Sequence, residues 1–351
     1  MVEKCIQPSY VKKFKCDGKI CGCRCCRDWR IIVDEESYKK ISTLDDDSRA
    51  EILKNIDWRR DPDSNVDVMT WKLHDDGICN FLRPDGLCSI QKRYGEEYLT
   101  AICQSYPRVT YKLDEKFFEQ SMTLTCPIAA QWILMPIEPI TFVEVDEVNA
   151  RAIISLKKFP RSIDDFISLQ RNAIKILQNR NLTINQRLRN FYELLGGKNS
   201  DGVEFNLKKH SSVIVDIFNK MYNADLDESK KDELRGNYLH YKEKILNDIQ
   251  TNFSNVLENY LVNEFFMRCY PNAFNGDDCY NAKIFITGYR LLEFALVLAV
   301  ISKSKMTVDD MIGLIISVND MLDHNRVGMK AIIDFVKSCD EENFVSTMLE
   351  F

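Results

Sequence analysis

The sequence lacks the features that would point to a membrane or to nucleic acid. Its formal net charge is -6, whereas proteins that bind a phosphate backbone usually carry an excess of Lys and Arg. No run of about 18 uninterrupted apolar residues occurs, because Tyr289, Arg290 and Glu293 interrupt the most apolar segment, 284–301. The first residues, MVEKCIQPSYVKKFKC, have no apolar core of the kind found in signal peptides. We therefore expect a cytoplasmic protein with no nucleic-acid or membrane partner.

Two common arrangements of metal-binding cysteines are missing as well. Classical zinc modules carry separated Cys-x-x-Cys knuckles, whereas the cysteines of this chain come mainly as Cys-x-Cys steps and the vicinal pair Cys25 and Cys26. The signature of radical enzymes, three cysteines with three and then two residues between them, does not occur either. A standard zinc finger, zinc ribbon or radical-enzyme loop is therefore disfavoured.

Cysteine itself is abundant and unevenly placed. Of the 13 cysteines, ten lie between Cys5 and Cys126. In a reducing compartment such clustering points to metal binding before disulfides.

The densest group places five thiols within the eleven residues of CDGKICGCRCC, namely Cys16, Cys21, Cys23, Cys25 and Cys26. Packing does not explain this group, because small apolar residues would fill a core without the risk of oxidation. Thiolates at short spacings on a loop can converge on one soft cation or cluster. Adjacent residues project differently, so we expect at least one of these thiols to be a spectator.

Four further thiols follow at Cys79, Cys88, Cys103 and Cys126. Glycines at 77, 86 and 95 mark tight turns between them, so we expect folding to bring these thiols to the first group. Zinc and iron–sulfur clusters both accept four thiolates, and spacing leaves both open. The predicted metal ligands are Cys16, Cys21, Cys25, Cys26, Cys79, Cys88, Cys103 and Cys126.

Periodicity predicts an α+β, predominantly helical protein in two domains, a small cysteine-rich one over 1–140 and a helical one over 141–351. The segment MPIEPITFVEVDE, with two prolines, cannot continue a helix and marks the boundary. In the first domain we predict helices over 46–56 and 95–103 and strands over 30–33, 66–73, 108–113 and 117–124. The last two strands are expected to form a hairpin around 114–116.

In the second domain apolar residues recur at helical spacing. This pattern predicts helices over 163–177, 184–195, 213–221, 238–266, 282–301 and 308–322. Thr183 and Gln186 form a capping box for the second of these helices, Gly196 ends it, and Thr307 is the N-cap of the last one.

Several motifs follow one another in order between 14 and 132. They are Phe14-Lys15-Cys16, Cys21, Cys25-Cys26, Trp29, Cys79-Asn80-Phe81-Leu82, Asp85-Gly86-Leu87-Cys88, Ile90-Gln91, Gly95-Glu96, Cys103, Tyr106-Pro107-Arg108 and Cys126-Pro127. This order resembles the flagellin lysine-N-methylases, which are related to a broader set of zinc- or iron-chelating cysteine-cluster proteins. Residues 260–271 and Asp323-His324-Asn325 extend the resemblance loosely into the second domain. Cys23 is an extra thiol relative to the pattern.

The resemblance implies an enzyme that transfers methyl groups from S-adenosylmethionine to lysine side chains of flagellin and holds an iron–sulfur cluster of the 4Fe–4S type. The glycine-rich strand–turn–helix that usually seats this cofactor is absent, so neither the cofactor site nor a catalytic residue is assigned. In a second enzymatic hypothesis, the cluster itself carries out redox or radical chemistry on S-adenosylmethionine. The alternative from another class is a non-enzymatic module in which zinc or iron staples the first domain and the helices bind a partner protein. Binding of S-adenosylmethionine separates these readings.

Overall fold

Strands and short helices alternate up to residue 155, and longer helices form the remainder of the chain. The computed structural model describes residues 4–29, 31–45, 47–60, 65–148, 150–156, 161–198, 202–303, 305–324 and 326–350. The strands are β1 (Lys4–Pro8), β2 (Ile56–Arg60), β3 (Asp67–Trp71), β4 (Arg108–Lys112), β5 (Phe117–Met122), β6 (Phe142–Val145) and β7 (Ile154–Ser155). The α-helices are α1 (Gly18–Cys21), α2 (Glu35–Ser42), α3 (Ser48–Lys54), α4 (Ser89–Tyr94), α5 (Ala101–Ser105), α6 (Pro127–Leu134), α7 (Ile163–Leu177), α8 (Ile184–Leu194), α9 (Leu207–Tyr222), α10 (Glu228–Met267), α11 (Asp278–Lys303), α12 (Val308–Asp323), α13 (Arg326–Ser338) and α14 (Glu341–Met348). Short 3₁₀ helices lie at Val11–Lys13, Arg24–Cys26 and Glu96–Tyr98.

Five strands form a mixed sheet in the order β6-β1-β5-β4-β7. β1 pairs in parallel with β5 and antiparallel with β6. β4 and β5 form the predicted hairpin, in which Arg108 pairs with Met122. Asp114 shapes the turn, because its Oδ1 accepts hydrogen bonds from the backbone N–H groups of Lys116 and Phe117 at 2.7 and 2.8 Å. The prediction of a hairpin around 114–116 is confirmed.

A separate hairpin of β2 and β3 covers a second, smaller hydrophobic core with α2 and α3. The predicted strand over 66–73 is confirmed as β3, but 31–33 makes only an isolated bridge between Ile32 and Thr70, and Arg30 lies outside the described residues. The helix predicted over 46–56 covers only α3, because Ile56 already pairs with Trp71, and Asp46 is not described.

The helix predicted over 95–103 is wrong as one element, because two separate helical turns replace it. A 3₁₀ turn at Glu96–Tyr98 ends in extended backbone at Leu99. Thr100 then starts α5 anew, with its hydroxyl accepting a hydrogen bond from the backbone N–H of Cys103 at 3.3 Å.

The helices of the second half agree with their predicted patterns and caps. α7 has the predicted bounds, the capping box of Thr183 and Gln186 opens α8, and Thr307 caps α12. α9, α10 and α11 extend beyond their predicted ends, because the added turns are mostly polar and carry no apolar periodicity. α10 runs for 40 residues and has a non-helical backbone at Phe253, so its two halves point in different directions.

α11 is a described helix that is long and apolar enough to cross a membrane, yet 72% of its most apolar window is buried inside the protein. It packs against α10, α12 and α13. Two of its charged residues pair inside the protein: Arg290 and Glu293 form a buried ion pair at 2.6 Å, and Arg290 also donates to the carbonyl of Met348. These contacts are those of a core helix.

The predicted domain boundary at 140/141 is not a gap in the packing. β6 begins directly after it and completes the sheet at β1. On the other side, α6 packs against α10 and α12. One large hydrophobic core therefore includes residues from both predicted domains, from Tyr10 to Leu349.

A carboxyl group lies inside the junction between the sheet and the helices. Glu119 on β5 is 1% exposed and accepts a hydrogen bond from Gln170 of α7 at 3.2 Å. Burial raises the pKa of Glu119 to about 8. The folded protein therefore holds this group protonated at neutral pH, whereas the unfolded chain ionises it near its ordinary pKa of roughly 4.3.

This difference predicts that stability falls as the pH rises. The contribution of Glu119 is fully present below roughly pH 4 and is lost as the pH approaches about 8. Glu119→Gln cannot ionise, so its melting temperature should fall less than that of the wild type between about pH 5 and about pH 9. Thermal unfolding followed by circular dichroism at both pH values measures the difference. Glu115→Gln, at the exposed hairpin turn, is the matched control. If the melting temperature changes with pH equally in all three proteins, Glu119 is not the titrating group.

Candidate functional site

A cavity of about 410 Å³ lies in the N-terminal half, and nine thiols line it. The nine are Cys16, Cys21, Cys23, Cys25, Cys26, Cys79, Cys88, Cys103 and Cys126. They include all eight predicted ligands, so the two cysteine groups of the sequence line one cavity. Cys5, Cys269, Cys279 and Cys339 do not belong to the lining.

The first group is carried by a tight loop formed from α1 and the 3₁₀ turn Arg24–Cys26. Cys23 joins the two in the left-handed region, with φ 56°. Its Sγ lies 2.8 Å from the carbonyl oxygen of Gly86 and 3.1 Å from that of Gly18, so its proton is directed to the backbone and not to the cavity. A Cβ on Gly18 would stand 3.0 Å from this sulfur. These contacts give the extra thiol, Cys23, a structural role between the two cysteine loops.

Backbone hydrogen bonds attach the second group to the first. The N–H of Cys79 donates to the carbonyl of Cys26 at 2.9 Å, and the N–H of Asp28 donates to that of Gly77 at 3.0 Å. Gly77 has φ +80°, and a Cβ there would lie 2.4 Å from the Asp28 carboxylate. Only glycine fits this turn, which holds Cys79 beside Cys26 despite their separation in sequence.

Two of the lining thiols lie at helix N-termini. Cys88 is the N-cap residue of α4, and Cys126 is the N-cap residue of α6 with Pro127 in the first turn. Backbone N–H groups of these first turns point at both sulfurs and oppose the effect of burial on their pKa. A helix N-terminus favours negative charge, so both positions favour the thiolate form that a soft metal requires.

Burial dominates the acidity of most of these thiols. It raises the pKa of Cys103 to about 12 and that of Cys126 to about 11. Cys25 is the exception, because the thiol of Cys26, 4.0 Å away, lowers the pKa of Cys25 by hydrogen bonding and raises its own. Without a bound cation most of these sulfurs are protonated at neutral pH, so loading a soft metal group releases protons.

The thiols surround the cavity and do not converge on a point. Within the described part of the chain, no three Cys, His, Asp or Glu side chains are grouped closely enough to hold a single metal ion. A zinc ion would need its sulfurs at about 2.3 Å.

The helical half reaches the cysteine loop through the last turns of α12. Arg24, between two cavity cysteines, forms an ion pair with Asp320. His324 packs against Trp29 with ring centroids 5.2 Å apart, and the same indole lies 5.6 Å from Tyr106. Trp29 also donates from Nε1 to the carbonyl of Cys25 at 2.5 Å. The position of the cysteine loop therefore depends on both halves of the chain.

A chain of hydrogen bonds connects the cavity lining with the helical core. Tyr106 bonds to Thr125 at 3.1 Å and Thr125 to Thr123 at 3.1 Å, while Thr123 donates to Asp323 at 3.0 Å. Arg268 of α10 donates to Asp323 at 2.5 Å and to Glu264 at 2.9 Å. The end of α12 is thus tied at once to the sheet and to α10.

Comparison with known proteins identifies the family. Residues 189–349 match the family described as the FliB lysine N-methylase C-terminal domain. A lysine-N-methylase of Salmonella typhimurium and one of Salmonella choleraesuis are each 32% identical over 132 residues, which cover 36% of this chain and 32% of theirs. Flagellar biosynthetic protein FliU of Salmonella muenchen is 33% identical over 132 residues, 75% of its length. The chain belongs to the lysine N-methylase family. No solved structure matches it.

Family membership confirms the resemblance inferred from the cysteine motifs and the enzyme class, protein-lysine methyltransferase. The matched segment spans about a third of each curated lysine-N-methylase. The metal-binding role of the eight cysteines is not tested by these matches and stays a prediction.

Sequence reasoning did not find the contacts that the helical half of this lysine N-methylase makes with the cavity. No sequence pattern marked Asp320 as a contact of the cysteine loop, because it lies in an ordinary amphipathic helix. Trp29, Arg108 and His324 belonged to motifs of the resemblance, but nothing in the sequence placed Trp29 against His324. Asn325, from the same motif as His324, lies outside the described residues.

We expect the ion pair of Arg24 and Asp320 to restrict the motion of the cysteine loop and so to limit access to its thiols. In metal-free, reduced protein, Asp320→Asn should speed alkylation of the thiols at 16–26 by iodoacetamide about two- to fivefold, the effect of losing a partly exposed ion pair. Peptide mass spectrometry over time measures the rates. Asp309→Asn, exposed in the first turn of the same helix, is the control, and unchanged rates in Asp320→Asn would remove α12 from the role of loop support.

Proposed function

We propose that the protein is an S-adenosylmethionine-dependent methyltransferase that modifies lysine side chains of flagellin and holds an iron–sulfur cluster in its cysteine-lined cavity. One observation carries the proposal: nine thiols line one cavity in a chain of the lysine N-methylase family. The name of one relative, flagellar biosynthetic protein FliU, supports flagellin as the substrate. We also propose the cytoplasm as its site of action.

The donor set fits an iron–sulfur cluster. Its ligands are all thiols, the ligand type that such clusters favour. The sulfurs surround a space and do not meet at one point, which favours a group of several atoms over a single zinc ion. When bound, such a cluster supplies a redox-active centre and joins segments of chain that are far apart in sequence.

Cys26, Cys79, Cys88 and Cys103 are the thiols we propose as the main ligands. Cys26 and Cys79 are adjacent through a backbone hydrogen bond, and Cys79, Cys88 and Cys103 interact electrostatically. Cys16, Cys21, Cys25 and Cys126 complete the predicted set on the other part of the lining.

Methyl transfer requires the lysine to attack as a neutral amine. A new N–C bond then forms while the C–S bond of the sulfonium breaks, its electron pair stays on sulfur as a thioether, and the amine proton leaves to solvent. Phe14, Trp29 and Tyr106 provide an apolar wall along the cavity, and removing water from an ammonium group lowers its pKa. The long apolar stem of a lysine suits such a wall.

The cluster predicts iron and sulfide in protein purified without air. Cys103→Ser should lose most of both, together with the broad absorption near about 400 nm. Cys339→Ser, outside the cavity lining, should retain them. Colourless wild-type protein with stoichiometric zinc would replace the cluster by a structural metal and favour the binding-module alternative.

The activity predicts mass increments of about 14 Da per methyl on lysine peptides of flagellin. The assay combines purified metal-loaded protein, S-adenosylmethionine and flagellin from the same organism, with heat-denatured protein as the control. Cys103→Ser should be inactive, and Cys339→Ser should match the wild type. Protein with intact metal content that binds no S-adenosylmethionine and adds no mass would contradict the proposed function.

A further inference from the structure

We infer that the cavity also seats the methyl donor, with Arg108 binding the carboxylate of its amino-acid end and Glu96 binding the ammonium. This inference rests on the proposed function, since it assigns the place of S-adenosylmethionine, a sulfonium nucleoside that ends in a free α-amino acid. It starts from the charges on the cavity wall. Apart from the cysteines, the charged residues of the described lining are Arg24, Glu96 and Arg108.

Arg108 has no acidic side chain to pair with among the residues that the structure describes. Within the described chain no carboxylate lies at ion-pair distance from it, whereas the other lining arginine, Arg24, is already paired with Asp320. Glu96 acts electrostatically on Arg108, as would Cys16 in its ionised form. A partly buried guanidinium stays charged and is costly to desolvate without a partner, so an anion in the cavity would relieve this cost.

The guanidinium is held in a fixed position. Arg108 is the first residue of β4, where its backbone pairs with the buried Met122. Its side chain lies over the ring of Phe14, with the guanidinium carbon 5.2 Å from the ring centroid. The ring takes up no hydrogen-bond donor of the guanidinium, and a guanidinium can bind a carboxylate through two parallel hydrogen bonds.

Glu96 supplies a negative charge to the same cavity and does not form an ion pair with Arg108 in the described structure. It lies on the exposed 3₁₀ turn Glu96–Tyr98 at the edge of the same cavity. It influences Arg108 electrostatically but makes no ion pair with it among the described residues. Two opposite charges that face one cavity and remain apart match a zwitterion, whose carboxylate and ammonium are a fixed short distance apart.

The remaining lining suits the rest of the ligand. The cavity volume of about 410 Å³ lies within the range of small-ligand sites. Trp29 and Tyr106 contribute aromatic surface to the lining, against which a purine could pack. Cys16, in the same lining, is the thiol that would act electrostatically on Arg108. The ligand would therefore lie next to the thiol group, with its amino-acid end toward Arg108.

The test compares S-adenosylmethionine with its decarboxylated form, which keeps the sulfonium, the nucleoside and the ammonium. Calorimetry on metal-loaded wild-type protein should show roughly 10- to 100-fold weaker binding of the decarboxylated ligand, the range for a hydrogen-bonded charge pair. Arg108→Gln should bind both ligands equally and weakly, and Arg108→Lys should recover part of the difference. Arg49→Gln, an exposed arginine on α3, should behave as the wild type. Glu96→Gln should weaken both ligands by a similar factor, because both carry the ammonium.

The outcomes separate this inference from the proposed function. Wild-type protein that binds both ligands with equal affinity overturns the role of Arg108 and leaves the methylase proposal intact. If Arg108→Gln still binds S-adenosylmethionine more tightly than the decarboxylated form, the role of Arg108 is overturned as well. If Arg108→Gln loses iron while Arg108→Lys keeps all of it, the positive charge of residue 108 stabilises the metal-bound thiolates and does not bind the methyl donor. Wild-type protein that binds neither ligand contradicts the inference together with the cofactor dependence on which it rests.

Discussion

The buried ion pair between Arg268 and Asp323 is the contact on which the arrangement of the cavity depends. Arg268 comes from the end of α10 and Asp323 from the end of α12. Asp323 also accepts a hydrogen bond from Thr123, directly after β5. Removing Asp323 would leave the mostly buried guanidinium of Arg268 with Glu264 as its remaining acidic partner, and a charge that loses a partner away from water destabilises the fold. One carboxylate thus fixes the end of α12 against both the sheet and the central helix.

The fixed end of α12 explains how a loop rich in cysteine keeps its shape. Asp320 and His324 flank Asp323 and contact Arg24 and Trp29. The loop has little apolar core of its own, since Cys16 is exposed and Cys21, Cys25 and Cys26 are half-buried. Loops of this composition usually depend on bound metal for order. Here the helical half supplies a second support, and the thiols are held around a cavity without closing it.

The cavity combines three kinds of chemistry that a protein methyltransferase with a thiol-bound cofactor would use. Sulfurs line one part, aromatic rings another, and Arg108 and Glu96 place separate opposite charges at a third. The family match covers the helical residues 189–349, whereas the cavity lies in the N-terminal half. The two are connected through α12, so the helices recognised by the family have a direct part in positioning the site.

The sequence by itself determined the local elements and the chemistry of the site. Helix bounds at α7, the capping box of α8 and the β4–β5 hairpin followed from periodicity, caps and turns, because short-range interactions decide them. The eight cysteines were found because their number and spacing have no packing explanation. Only the tertiary structure decided that all these thiols share one cavity and that the thiol of Cys23 is bound to backbone carbonyls. It also decided that Arg24 has an acidic partner, whereas Arg108 has none in the described part of the chain. These features depend on contacts between segments 60 to 300 residues apart, and no local pattern encodes such contacts.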